Sequence, residues 1–221
     1  MMLGARTACW EKSGAPLPYD AEVEYIESTD SQYINTGFVP NDICGIRVKA
    51  AALKIKDSVV VGCRRALDER WWVNFGGKTF NASWGDYVYT TLYYSSITSY
   101  VIENNFKNSR SFVVDGVVYN ESLYAYTMPQ SDREAYIFGA NDAGRFALTQ
   151  RFRVYQVEFS RGNIIEMNLI PVRFTNSLGV SEGAMYDMRG VGGKNRDGTP
   201  RNDGMYLNQG TGAFIIGPDK V

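Results

Sequence analysis

The chain contains no histidine. That absence excludes Ser-His-Asp and Cys-His catalysis, His-ligated zinc and a histidine pH switch together. Cysteine is scarce too. Cys9, Cys44 and Cys63 are too few and too scattered for a disulfide scaffold or a zinc knuckle. Cys44 and Cys63 could pair, but free, half-buried thiols fit better, because no small disulfide-dense domain is being built. No stretch reaches the roughly 18 consecutive apolar residues that a membrane span needs. The opening MMLGARTACWEKSG lacks the apolar run and small-residue cleavage site of a secretory signal, so export by that route is not expected. The formal net charge is only −1, and no Lys/Arg run is interleaved with aromatics, so nucleic acid is not an expected partner.

What is present is ample material for a core. The 221 residues are 44% hydrophobic and include 15 Tyr, 11 Phe and 4 Trp, enough for one large all-β domain. Helical periodicity is nearly absent. Short apolar runs punctuated by Gly, Asn and Asp predict strands at 47–50 leading into 53–55, and at 58–62, 71–76, 78–85, 87–89, 99–102, 134–139, 150–160, 164–169 and 214–216. Together they predict a two-sheet antiparallel sandwich. Ser111 to Tyr119 holds the clearest hairpin: Asp115-Gly116 between two apolar runs is a type I′ signal. In 150–160 the apolar residues Phe152, Val154, Val157 and Phe159 change phase at Tyr155-Gln156, which predicts a bulge. The stretch YIESTDSQYINTG, 25–37, reads as strand-turn-strand, with Ser28-Thr29-Asp30-Ser31 as the turn and Tyr25 and Tyr33 on paired strands.

Two segments stand apart. Residues 1–18 end in the Pro16-Leu17-Pro18 break and carry Leu3, Arg6 and Trp10 without periodic partners. They read as a docking tail ahead of a sandwich domain at 19–221. Residues 188–204 are polar and Gly-rich with no apolar pattern, so a long surface loop is expected, and such loops are usually functional or disordered.

Several stretches share a resemblance. Glu24-Tyr25-Ile26-Glu27-Ser28-Thr29 through Tyr33-Ile34-Asn35-Thr36-Gly37 resembles the opening of laminin-G-like, concanavalin A-like jelly-roll domains. Such domains occur in Bacteroides-type gut phages and prophages. Arg153-Val154-Tyr155-Gln156-Val157, Asn168-Leu169-Ile170-Pro171-Val172-Arg173, Met185-Tyr186-Asp187 and Asn208-Gln209-Gly210-Thr211-Gly212-Ala213-Phe214 are similar to that family's later strands and closing segment. Leu3-Gly4-Ala5-Arg6-Thr7-Ala8 resembles a short attachment leader placed before unrelated phage domains. The resemblance implies a jelly-roll sandwich of the concanavalin A-like lectin/glucanase type with an extended N-terminal tail. It further implies a bacteriophage virion protein, such as a head or tail fibre or capsid decoration. The tail would dock on other virion proteins, and the assembly would be a homotrimer.

That fold serves lectins, glycosidases and structural modules, so function must come from a site. Carbohydrate binding would use aromatic platforms ringed by polar groups. Trp71, Trp72, Trp84 and Tyr87 are the candidates, with Arg196 and Asn202 as contacts from the 188–204 loop. Trp71 and Trp72 are adjacent in a strand, so one must face the core and the other the outside. Calcium is the one metal the resemblance raises. Asn141-Asp142 would be its centre, with Asp115, Asp197 and Asp203 as further candidates, although a single Asn-Asp pair falls short of the about 6–8 oxygens Ca²⁺ takes. Glycosidases of this fold carry Glu-x-Asp-x-x-Glu on one strand, and no such spacing occurs. Glu22, Glu24 and Glu27 are the nearest cluster and read as a solvated outer face, with Glu27 beyond the strand's end. The reading is a non-enzymatic virion adhesion module that binds host surface glycans. The alternatives are a bacterial surface lectin-like module and a divergent glycoside hydrolase.

Overall fold

The computed structural model describes residues 16–54, 56–66, 69–76, 79–85, 87–93, 98–105, 111–121 and 131–221. Side chains of the strand residues 84–85, 87–93, 104–105, 111–112 and 119–121 are outside that description. All regular structure among the described residues is strand, and no helix occurs. In chain order the strands are β1 (Ala21–Glu22), β2 (Ile26–Glu27), β3 (Ile34–Asn35), β4 (Cys44–Ala52), β5 (Ser58–Arg64), β6 (Arg70–Gly76), β7 (Thr79–Gly85), β8 (Tyr87–Tyr93), β9 (Tyr100–Asn105) and β10 (Ser111–Val114). They continue with β11 (Val117–Glu121), β12 (Tyr136–Ile137), β13 (Gly139–Asp142), β14 (Arg145–Ala147), β15 (Phe152–Arg161), β16 (Ile164–Thr175), β17 (Ser181–Asp187), β18 (Met205–Tyr206) and β19 (Ile215–Ile216).

Two sheets result. The first runs β11-β10-β9-β4-β15-β16-β17-β18, with β1 on β16 and β2 between β15 and β19. The second runs β14-β13-β5-β6-β7-β8, with β12 joining β3 to β5. Alternation explains why they face each other. Cys44, Ile46, Val48, Ala50 and Ala52 of β4 point inward from the first sheet, and Trp71, Val73 and Phe75 of β6 point inward from the second; all belong to one core cluster. The arrangement is sandwich-like. It is not the wholly antiparallel sandwich that the sequence predicts, because β13 pairs with β5 in parallel while β12 pairs with the same strand antiparallel. The chain reverses between them at Phe138, whose φ is 74°.

The predicted bulge lies where the phase changes: β15 pairs with β4 in shifted register between Val154 and Gln156, leaving Tyr155 as the extra residue. The slip keeps Phe152, Val154, Val157 and Phe159 all in the core. The Asp115-Gly116 hairpin is also present. Val114 pairs with Val117, and both turn residues have positive φ, 48° and 83°, as a type I′ turn requires.

Two expectations are corrected. Residues 25–37 are not a hairpin. β2 belongs to the first sheet and β3 to the second, so Ser28–Tyr33 carries the chain across the edge of the sandwich. Glu27 is not on a solvated face: it lies inside β2, 2% exposed, held by Arg151 and Arg153 (Nε 2.9 Å). The 188–204 segment is the surface loop expected, and its hydrogen bonds order it. Lys194 bridges to Pro200 and Tyr206, Asn195 N donates to Thr199 O at 2.9 Å, and Arg201 forms an ion pair with Asp203.

Candidate functional site

The crossover from β2 to β3 is clamped by buried side chains. Gln32 is buried; its Oε1 accepts from Thr29 N at 2.6 Å and its Nε2 donates to Thr211 O at 2.9 Å. Ser31 Oγ donates to the same Thr211 oxygen at 2.9 Å, and Thr149 Oγ1 donates to Asp30 O at 2.8 Å. Gly210 packs directly on this turn. A Cβ there would sit 1.9 Å from Ser31 O, so only glycine fits. Two stretches distant in sequence, 28–33 and 208–212, therefore form one wall. Asp30 is held at φ 85° and, across the gap, Leu148 at φ 56°, conformations that a non-glycine residue adopts only when its surroundings impose them.

Between these walls is a cleft of about 690 Å³. Its floor is aromatic. Tyr33 and Phe146 line the cleft and, with Tyr136 outside the lining, form a continuous stack: Tyr33 lies 4.8 Å from Tyr136 and 4.4 Å from Phe146, with interplanar angles of 27° and 24°. Gly139 leaves room for an edge of the Phe146 ring; a Cβ there would approach its Cε2 to 2.4 Å. Exposed Asp30, Lys56 and Asp57 stand around the rings, with Gln209 on the same wall as Asp30. Burial raises the Tyr33 phenol above its usual range and pushes Tyr136 up to about 12, so both stay neutral near pH 7.

A smaller groove of about 260 Å³ on the outer face of the second sheet shares Asp57 and Leu148 with this cleft. Trp72 is its centre. The guanidinium groups of Arg64 and Arg70 lie 5.5 and 5.7 Å from the indole centroid, a cation–π arrangement. Arg64 is neutralised by a bidentate contact with Asp142, at 2.8 and 2.5 Å, and its guanidinium holds that carboxyl below the usual range. Gly62, opposite Trp72 on the neighbouring strand, leaves room for the Trp72 Cβ, which a side chain there would meet at 2.2 Å.

Trp71 and Trp72 do point to opposite faces. Trp71 is fully buried, stacked on Phe38 and Phe159 at 5.7 and 5.9 Å, and is closed to any ligand. Trp72 lines the groove but is only 6% exposed, being covered by the two arginines, so it is not an open platform. Trp84 and Tyr87 pair across β7 and β8, and their side chains lie outside the described residues. Leu3, Arg6 and Trp10 also lie outside the described residues. Arg196 is committed to Glu182 at 2.5 Å, Asn202 is exposed, and neither lines the cleft or the groove.

The proposed calcium centre is otherwise engaged. Both Asp142 oxygens face Arg64, while Asn141 bonds Glu134 O and Gly144 N. Asp115 accepts from Val101 N, Asp197 from Thr199, and Asp203 from Arg201. No group of three or more metal-ligating acidic or sulfur side chains occurs among the described residues. Cys44 and Cys63 are free and buried, and burial pushes the Cys63 thiol up to about 12, which disfavours a reactive thiolate.

Sequence reasoning missed Tyr33, Phe146, Leu148, Lys56 and Asp57. The only local signal was the Tyr33 region itself, which reads as a turn. The fold is thus an all-β sandwich with an aromatic-floored cleft at one edge. No protein-family model matches the chain, and no curated protein is significantly similar to it.

Proposed function

We propose that this chain is a non-enzymatic, carbohydrate-binding adhesion module of the jelly-roll type, displayed on a virion surface as a homotrimer. One observation carries the binding reading: the half-buried Phe146 ring ends a three-ring stack on the floor of a cleft bordered by carboxylates, an amine and an amide. A sugar presents an apolar C–H face to such a ring and hydroxyls to the polar rim. The carboxylates of the cleft argue against glycoside cleavage. Asp30 and Asp57 are exposed to water, whereas the acid in that reaction relies on burial to keep its proton. Glu27, the buried carboxylate nearest in sequence, is held by two arginines. Placement on a virion rests on the family resemblance of residues 3–8, 24–37 and 208–214, with residues 1–18 as the tether.

A glycan array with Phe146→Ala tests the binding reading. Wild type should bind at least one oligosaccharide class. The variant should lose about tenfold or more, as expected when an aromatic anchor worth about 1.4 kcal/mol or more is removed. No binding by wild type, or unchanged binding by a folded variant, overturns it.

A further inference from the structure

The groove around Trp72 contains a charge that the rest of the fold does not use. Arg64 and Arg70 are cross-strand partners on β5 and β6, and both lie over the Trp72 indole. Arg64 is matched by Asp142. Arg70 forms no ion pair and no hydrogen bond among the described residues. Of its guanidinium nitrogens only Nε is buried without a partner, which leaves the terminal nitrogens at the surface of the groove. Two positions along the same face, beyond Trp72, Asn74 Oδ1 is likewise buried and unpartnered. An unmatched cation and an unmatched acceptor line one groove of about 260 Å³.

The groove is also polar along its length. Asp57 lies beside Gly76, at the end of β6 opposite Arg70. Six residue steps along the strand separate those ends, about 20 Å at the usual rise. Asp57 and Leu148 then lead into the aromatic cleft.

We infer that cleft and groove form one continuous subsite array for an acidic oligosaccharide. A neutral ring sits on Phe146, and an anionic sugar, carrying a carboxylate or a sulfate, sits against Arg70. This rests on the carbohydrate-binding reading. It adds direction, because Asp57 repels the anionic unit from the cleft end and Arg70 attracts it to the other. The planar guanidinium, 5.7 Å from the indole centroid, suits bidentate pairing with either anion.

The test is a glycan array on which uronate- and sialate-bearing oligosaccharides are printed beside their carboxyl-reduced counterparts, and sulfated ones beside their desulfated counterparts. Wild type should prefer the acidic member of at least one pair by about tenfold. In Arg70→Gln that ratio should fall toward one, whereas Arg70→Lys should keep a reduced preference that weakens with salt. Carboxylate and sulfate pairs distinguish the two sources of charge. Equal binding to both members, or an unchanged ratio in Arg70→Gln, overturns this inference and leaves the binding reading standing. Binding to no oligosaccharide overturns both. A thermal melt of each variant separates lost recognition from lost folding.

Discussion

The ion triad at Glu27 predicts an asymmetric response to mutation. Glu27 is 2% exposed, whereas the side chains of Arg151 and Arg153 are 40% and 30% exposed. The carboxylate has therefore given up nearly all its water, while the guanidinium groups keep much of theirs. Removing both arginines leaves a buried charge uncompensated, which should cost about 3–5 kcal/mol. Glu27→Gln instead removes the charge that was costly to bury, and both arginines can turn to solvent, so about 1–2 kcal/mol is expected. Glu27→Leu should cost no more than the glutamine. Urea unfolding of wild type, Glu27→Gln, Glu27→Leu and Arg151→Ala/Arg153→Ala would measure this as midpoint shifts at constant m-value. If Glu27→Gln costs as much as the double arginine variant, the triad does not work as described. The result also bears on the cleft, because Glu27 fixes β2, from which the chain enters the 28–33 wall.

Alkaline pH should weaken the fold. The Cys63 thiol sits at about 12 in the folded chain against about 8.5 when exposed, so its contribution is intact below about pH 8.5 and is lost as pH rises toward 12. The slope is at most about 1.4 kcal/mol per pH unit. Tyr136 and Tyr206, each pushed up to about 12 by burial, act in the same direction at higher pH. Urea midpoints at pH 7.5 and 10 should diverge less in Cys63→Ala than in wild type; an equal divergence would contradict the assignment. Gly62→Ala should cost about 3 kcal/mol or more, because the new Cβ would sit 2.2 Å from Trp72 Cβ and 2.4 Å from Trp71 O. A thermal melt within a degree or two of wild type would contradict that packing.

What the sequence reveals and what it hides divide along physical lines. The β15 bulge is legible because apolar alternation and its phase slip are local to ten residues. The Asp115-Gly116 hairpin is legible because turn chemistry is local too. The opposed faces of Trp71 and Trp72 follow from strand geometry, but which one enters the core depends on Phe38 and Phe159 from the other side of the sandwich. Glu27 is misread because its partners lie 124 and 126 positions away. The cleft is hidden for the same reason, since its walls combine residues near 30, 57, 148 and 210. The positive φ values of Asp30 and Leu148 are imposed by those distant contacts. The stretches 28–33 and 208–212 meet through hydrogen bonds that neither reveals by itself.

A crystal structure of the protein bound to its best array oligosaccharide tests the central claim most directly. A sugar ring should lie flat on Phe146, with the chain running over Leu148 toward Trp72 and Arg70. A ligand bound instead on the outer face of the first sheet, around Tyr25 and Tyr155, would contradict the account.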